Sequence, residues 1–362
     1  MEGDTMLQRI NTLISSFEES GHDAVLVSSP HNRRYLSGFT GSSGYLFITK
    51  DKCYMLTDFR YVEQATHQCP DYIVIDFFKK GLVESLSQLV EDHQVKTLGY
   101  ENAALTVKEF KHFESHIKCN WLEMNDMVEK IRMIKDQDEI NLIAHAASIG
   151  DAAFHHIIKF IKAGMTEIDV AIELEFFMKK QGASKLSFDT IVASGKRSSL
   201  PHAVPTEKII EEGDFVTMDF GCIYKDYCSD MTRTIVVGKA SDQQKEIYNL
   251  VLQAQLNACQ HVKAGILGKE GDAYARDIID AAGYRVNFGH GLGHSLGLEV
   301  HEQPRFSLLS EDLIEENMVM SIEPGVYIPD FGGVRIEDLV LMTKEGIRNF
   351  CSSPKELLEL NN

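Results

Sequence analysis

The sequence predicts a two-domain α+β protein, with a smaller amino-terminal α/β domain over residues 1–127 and a larger domain over residues 128–362. Three observations carry this. The 362-residue length exceeds one typical domain and suits two. Strand-like and helix-like runs alternate up to about Asn125, and a fresh helix start follows. Beyond that start a loop-and-helix pattern occurs twice, as expected when two similar halves pack around one shared sheet.

In chain order, residues 6–20 place Leu7, Ile10, Leu13, Ile14 and Phe17 at helical spacing. Ala24–Ser28 is a short buried-strand pattern. Tyr45–Thr49 and Cys53–Thr57 flank Lys50-Asp51-Lys52 as the arms of a hairpin. Asp136, followed three residues later by Glu139, forms the capping box of a new helix, and apolar residues recur from Ile140 to Ala152. Ile161–Gly164 then opens a loop leading to a helix that ends near Gly182. Val262–Gly265 repeats the arrangement, ending near Gly283. Each copy follows an amphipathic helix and precedes a strand-like run.

Composition narrows the partners. With 36 Lys and Arg against 54 Asp and Glu, the net charge of -18 argues against nucleic acid and anionic membrane surfaces. No apolar stretch approaches the roughly 18 residues that cross a bilayer. The first residues, Met1–Met6, are acidic and polar and do not read as a secretory leader. Seven scattered cysteines without a C-x-x-C pair suit reduced thiols, so a cytoplasmic location is expected. The acidity itself reflects either solubility or carboxylates gathered around cations.

Three passages carry chemistry. In Phe215–Val237 two β-rich runs flank a polar turn at Tyr224-Lys225. Paired across that turn, Asp219 falls opposite Asp230 on the same face, with Cβ atoms about 4.5–5.5 Å apart. Two such carboxylates repel unless a hard cation lies between them, or unless they merely flank a solvated loop. In Asn287–Pro304, His290, His294 and His301 sit among Gly289, Gly291, Gly293 and Gly297, which rule out an ordinary helix. Plain core or surface histidines are the alternative there. In Met318–Leu341, Glu323 stands at a strand end before a turn, and Glu337 lies in an otherwise apolar strand with Arg335 expected on the opposite face. A buried acid at Glu337 must be paired, protonated or ligating. Taken together, four carboxylates and one imidazole on predicted strands make a ligand set for two divalent ions, with room for a bridging hydroxide between them. Such a pair lowers the pKa of the shared water and clamps the attacking and leaving atoms. Neighbouring histidines then handle protons near neutral pH.

The order Asp219, Asp230, His294, Glu323, Glu337 resembles the pita-bread metallopeptidases, which include methionine aminopeptidase, aminopeptidase P and prolidase. The chain looks like their proline-specific branch through Ser194–His202, Met218–Gly221, Ser229–Thr232, His290–His294 with Val300–Glu302, Ile322–Gly325 and Val334–Glu337. Ser29–Asn32, Tyr35–Phe39 and Thr57–Tyr61 resemble the amino-terminal creatinase-like domain of these enzymes. The resemblance implies a creatinase-like domain followed by a pita-bread domain, and hydrolysis of the bond between an amino-terminal residue and proline by a dinuclear-metal-bridged hydroxide.

By the same resemblance, Asp219 chelates one metal, Asp230 and Glu337 bridge both, and His294 and Glu323 complete the second, with Glu323 shuttling a proton. His202 binds substrate or stabilises the tetrahedral intermediate, His290 and His301 line the proline-side pocket and donate hydrogen bonds, and Arg335 closes the site. Thr232 stands behind the ligands. Mn²⁺ is the expected metal, with Co²⁺, Zn²⁺ or Fe²⁺ as alternatives. The expected partners are short peptides with proline at the second position and a second copy in a homodimer. Ser199 and Ser295 stand where relatives usually carry glycine or alanine. Competing readings are a methionine or broader-specificity aminopeptidase of the same fold, creatinase, which lacks this metal set, and a non-catalytic binding protein. Cys222 and Cys228, beside the proposed site, read as packed small hydrophobes.

Overall fold

The computed structural model describes residues 2–360, with side chains from Met6 onward, so most of the amino-terminal run read for its charge lies outside the described side chains. The chain forms two compact units, Met1–Arg132 and Met133–Asn362.

In the first unit, β1 (Ala24–Val27), β2 (Tyr45–Thr49), β3 (Cys53–Thr57), β4 (Ile73–Asp76), β5 (Thr97–Tyr100) and β6 (Asn120–Glu123) form one sheet in the order β4-β3-β2-β1-β5-β6. The predicted hairpin is present with both arms as read: Ile48 pairs with Cys53, and the Lys52 amide bonds Thr49 Oγ1 at 2.9 Å. The predicted first helix is broken near Ser16 into α1 (Glu2–Ser15) and α2 (Phe17–Ser20). Helices α3 (Pro30–Ser37), α4 (Val62–Gln68), α5 (Leu82–Asp92) and α6 (Val107–His116) complete the alternation. The divide falls at Arg132–Met133 and not at 127–128, because α7 (Met127–Met133) is tied back into this unit. Arg132 Nη1 donates to Asn32 Oδ1 at 2.8 Å, and Asn32 Nδ2 donates to Glu129 at 2.6 Å.

The second unit repeats one plan. Its first half runs α8 (Gln137–Phe160), α9 (Glu167–Lys180), the short β7 (Lys185–Leu186), β8 (Ile191–Ser194), β9 (Phe215–Phe220), the small hairpin β10 (Cys222–Tyr224) and β11 (Tyr227–Cys228), and β12 (Met231–Val237). Its second half runs α10 (Asp242–His261), α11 (Gly268–Ala281), β13 (Gly293–Ser295), β14 (Glu302–Phe306), β15 (Val319–Ile322), the hairpin β16 (Gly325–Ile328) and β17 (Gly332–Arg335), β18 (Asp338–Met342) and β19 (Ile347–Asn349), before the terminal β20 (Glu359–Leu360). One sheet is ordered β20-β12-β9-β8 and the other β14-β13-β15-β18-β19. In both halves two helices precede an antiparallel strand set, β8-β9-β12 in the first and β13-β15-β18 in the second, with a hairpin inserted before the last of each set. The capping box of α8 is present, Glu139 N to Asp136 at 2.9 Å and Asp136 N to Glu139 at 3.0 Å. The loop glycines repeat as well: Gly164 and Gly265 both turn with left-handed φ, 92° and 96°, and donate to Ile210 O and Ile314 O.

Packing decides which way the strands face. Met218 and Phe220 of β9 and Met231 and Ile235 of β12 join Ala146, Phe154 and Leu174 of α8 and α9 in one buried cluster. Ile322, Val334 and Ile336 join Ile247, Val251 and Ile279 of α10 and α11 in another. Each such side chain contributes about 1.5–3 kcal/mol when fully buried. Side chains alternate along a strand, so Asp219 and the pair Arg335 and Glu337 are forced to the faces away from the helices. That corrects the expectation for Arg335: two residues from Glu337, it shares Glu337's face.

The register of β9 and β12 also differs from the expectation. The turn is centred on Lys225-Asp226, both with positive φ, one residue later than read, so Asp219 pairs with Thr232 and not with Asp230. One step at the turn shifts the register by two, which preserves the face. Likewise Asp230, Glu323 and Glu337 stand just beyond strand ends, not within strands, the apolar run from Val334 to Leu341 being split into β17 and β18.

Candidate metal centre

Where the two halves meet, β12 runs beside residues 334–337: the Glu337 amide donates to Thr232 O at 3.1 Å, and Thr234 Oγ1 donates to Arg335 O at 3.0 Å. This seam brings the outward faces of both sheets together. Asp219, Asp230, His294, Glu323, Glu337, His202, His290, His301 and Arg335 all line one cavity of about 580 Å³. Nine residues spread over 136 positions of sequence are thus brought to one cavity. Gly293 allows the approach, since a Cβ there would lie 2.0 Å from Ser321 O.

Donor atoms of Asp230, His294 and Glu337 lie within 4.8 Å of one another, all buried. His294 Nε2 is 3.4 Å from Glu323 Oε1 and 3.7 Å from Asp230 Oδ2. The His294 Nδ1–H donates to Ser295 O at 3.1 Å, which assigns the tautomer and leaves Nε2 as a bare acceptor facing carboxylates. Burial, then the neighbouring His301, holds this ring's pKa at about 4, so it is neutral. Among the described residues, Asp219 Oδ1, Asp230 Oδ1 and Glu337 Oε1 are buried without a hydrogen-bond partner. Orphaned carboxylate oxygens are costly. Burial, then the Glu337 charge, pushes Asp230 well above the usual carboxylate range, and burial, then Glu323, does the same to Glu337. Burial pushes Glu323 up to about 7. An array of acceptors lacking donors fits a cation.

One cation is built in. Arg335 Nη2 donates to Asp219 Oδ2 at 2.6 Å and its Nε to Thr232 Oγ1 at 3.0 Å, while Thr232 Oγ1 donates to Glu337 Oε2 at 2.7 Å. Arg335 Nη1 also donates to Tyr327 Oη at 2.7 Å, and Tyr327 O–H donates to His290 Nε2 at 3.0 Å. His290 Nδ1–H is committed to Gly291 O at 2.8 Å. Both ring nitrogens of His290 are therefore engaged within the protein. His202 and His301 are exposed, and the His301 ring lies edge-on to His294 at 4.5 Å.

Tyr327, Arg305 and the pair Asp272–Arg276 were not read from the sequence. Arg305 lines the cavity. Arg276 binds the Asp272 carboxylate through two nitrogens, at 2.5 and 2.9 Å, and donates to Phe288 O and His290 O. Asp272 Oδ1 accepts from Leu292 N at 2.9 Å, so this pair on α11 fixes the backbone that carries His290 and His294. An i, i+4 ion pair on a helix signals only a solvated face, which is why sequence gave no warning.

Residues 141–344 match the profile of metallopeptidase family M24, and residues 9–134 that of the creatinase/prolidase N-terminal domain. The chain belongs to metallopeptidase family M24. Its M24 domain has the pita-bread fold, preceded by the creatinase-like domain. The Xaa-Pro dipeptidase of Pyrococcus horikoshii is 40% identical over 358 residues, spanning 98% of this chain and 100% of the relative. The structure of an Xaa-Pro dipeptidase from Bacillus anthracis matches with TM-score 0.96 at 47% identity, covering 98% of this chain and 100% of that one. An X-Pro aminopeptidase from Thermotoga maritima matches at 0.88 and 38% identity, covering 96% and 99%. Membership of M24 makes the chain a peptidase that works with divalent metal ions, and the donor set above fits them. Among the described residues no helix is long and apolar enough to cross a membrane.

Proposed function

We propose that this M24 peptidase hydrolyses the bond between an amino-terminal residue and a following proline, acting as an Xaa-Pro dipeptidase or aminopeptidase with two divalent metal ions. The observation that carries the reading is the convergence of Asp230, His294 and Glu337 within 4.8 Å, with unpartnered carboxylate oxygens turned inward. Asp219 would hold one ion, Asp230 and Glu337 would bridge, and His294 and Glu323 would complete the second position. Bound there, the ions supply Lewis-acid polarisation and lower the pKa of a shared water.

The chain's own groups supply the rest. Glu323, beside the position of the shared water, would take and return its proton. Arg335 fixes the orientation of Asp219 and, through Thr232, of Glu337. His202 and His301, exposed in the cavity, can donate to a substrate carbonyl as charge develops on it. Restriction to proline is supported by the similarity to relatives named for Xaa-Pro cleavage. The reading includes Mn²⁺ as the working metal and a cytoplasmic homodimer. All seven cysteines are unpaired among the described residues, as suits a reducing compartment, and light scattering tests the dimer.

The experiment is a mass-spectrometric digest of matched Xaa-Pro and Xaa-Ala dipeptides and tripeptides after EDTA treatment and add-back of Mn²⁺, Co²⁺, Zn²⁺ or Fe²⁺. The expected result is cleavage before proline only, restored by metal, with peptide length separating dipeptidase from aminopeptidase. Metal-independent turnover, or equal cleavage of Xaa-Ala, overturns the reading.

A further inference from the structure

Glu167 is the first residue of α9 and is fully buried, at 0% exposure. Its carboxylate accepts hydrogen bonds from both ends of one segment. Oε1 takes the Ser194 amide at 2.8 Å and the Ser194 hydroxyl at 2.9 Å. Oε2 takes the Thr206 amide at 3.0 Å and the Thr206 hydroxyl at 2.8 Å. Arg197 Nε lies 3.2 and 3.1 Å from the two oxygens, and its Nη2 reaches across to donate to Val204 O at 2.7 Å. The chain therefore leaves one carboxylate at Ser194 and returns to it at Thr206. Between them lies His202, flanked by the exposed Leu200 and Val204.

We propose that Glu167 is a positioning residue that holds the His202 segment over the cavity. The proposal rests on the reading that His202 acts on the substrate. The segment has one short turn, Gly195–Ser199, as its only regular structure. Its middle is held by Gly333 N donating to Ser198 Oγ at 2.8 Å and Arg335 Nη1 donating to Pro201 O at 3.3 Å, and its ends keep large conformational freedom unless they too are fixed. Glu167 fixes both ends with hydrogen bonds accepted by the two oxygens of one carboxylate. The repeat within the unit shows that the helix itself does not need this acid: α11, the counterpart of α9, begins at Gly268. The half that carries the His202 segment is the half that carries the carboxylate.

Four proteins decide it: the wild-type chain, Glu167→Gln, His202→Ala and the double variant. A glutamine turns an N–H₂ toward donors it cannot accept from. We expect kcat for an Xaa-Pro dipeptide to fall about a hundredfold in Glu167→Gln, the cost of misplacing a group by about an ångström. Metal stoichiometry should be unchanged, and amide hydrogen exchange should accelerate across residues 196–206. The double variant should be no slower than His202→Ala. Thr206→Val removes one donor at little risk to folding and should lose roughly 2- to 10-fold in kcat, the size of one hydrogen bond. Unchanged kcat in folded Glu167→Gln, or in Thr206→Val if Glu167→Gln does not fold, overturns the proposal, as do fully additive losses with His202→Ala. If the wild type shows no metal-dependent cleavage, it is the proposed function that fails. The exchange readout then decides the clamp by itself, and unchanged protection of 196–206 counts against it.

Discussion

Removing the divalent ions should reverse the way stability depends on pH. In the metal-free protein, burial raises Glu323 to about 7 against the ordinary 4.5. This carboxyl then binds more protons in the folded chain than in the unfolded one between those two values, so its own contribution to stability grows as pH falls from 7 toward 4.5. At about 1.4 kcal/mol per pH unit the full Glu323 contribution is about 3 kcal/mol, and Asp230 and Glu337, held well above the usual range, add the same sign. With metal bound, protons compete with the ions and stability falls as pH falls. Opposite contributions begin below the ordinary histidine value: burial lowers His290 and His294 to about 4, so each loses stability as pH falls below 6.5, whereas Asp338, which burial alone would raise but Arg233 and Lys355 hold below 3.8, loses its stabilisation only under stronger acid. At about 100-fold excess over Kd each ion stabilises by about 2.7 kcal/mol, so two give about 5 kcal/mol, or roughly 10–20 °C in a unit of this size. Differential scanning calorimetry from pH 8 to 6.5, above the range in which His290 and His294 oppose the carboxylates, reads both effects with and without chelator. A chelated protein that loses stability on acidification over that range, or a midpoint indifferent to chelation, would refute the reasoning.

Other variants test individual atoms of the site. Asp230→Asn or Glu337→Gln keeps the shape but removes a charge facing the cluster. Plasma emission should find fewer than two metal ions per chain, and turnover should fall roughly a thousandfold; full stoichiometry would exclude the bridging role. His202→Ala should lower kcat about a hundredfold or more, within the range of lost proton-transfer or hydrogen-bonding groups, with metal content and thermal midpoint unchanged. Arg276→Met strands the buried Asp272 carboxylate and releases Phe288 O and His290 O. It should cost about 3–5 kcal/mol in denaturant unfolding, and a loss below 1 kcal/mol would show the pair to be dispensable.

What could be read from sequence was residue type, helix start and, except at Arg335, the face of each site residue. The capping box at Asp136 and the hairpin from Tyr45 to Thr57 are local chemistry, and both stand in the structure where the residues put them. The misplaced turn at Tyr224-Lys225 did no harm to the site because strand periodicity is two: the true centre, Lys225-Asp226, slides Asp219 by two residues and leaves it on the same face. What could not be read depends on the other half of the unit. Tyr327 looks like a core aromatic until Arg335 and His290 close on its hydroxyl. Glu167 looks like an ordinary first-turn acid until a segment that begins 27 residues later wraps around it. Hydrogen bonds made across long separations leave no periodic signature.

The repeated plan explains why four carboxylates meet in one place. In each half a hairpin is inserted between two paired strands, β9 and β12 in the first half and β15 and β18 in the second, and an acid stands on either side of it: Asp219 and Asp230 around β10–β11, Glu323 and Glu337 around β16–β17. The helices claim one face of each sheet, so acids beside those hairpins are left facing the seam between the halves, where β12 lies against residues 334–337. Duplication alone would then produce a fourfold concentration of negative charge that no fold tolerates without compensation. Arg335 offsets part of it, from one half only, and His294 replaces what in the first half is strand β8 bearing Ala193. The site is symmetric in its acids and asymmetric in its nitrogen donors. A pair of cations held there would therefore sit in unequal surroundings, one near the imidazole and one near the Asp219 carboxylate already shared with the guanidinium. Equal, indistinguishable affinities for the two ions in a calorimetric titration of the chelated protein would contradict that asymmetry.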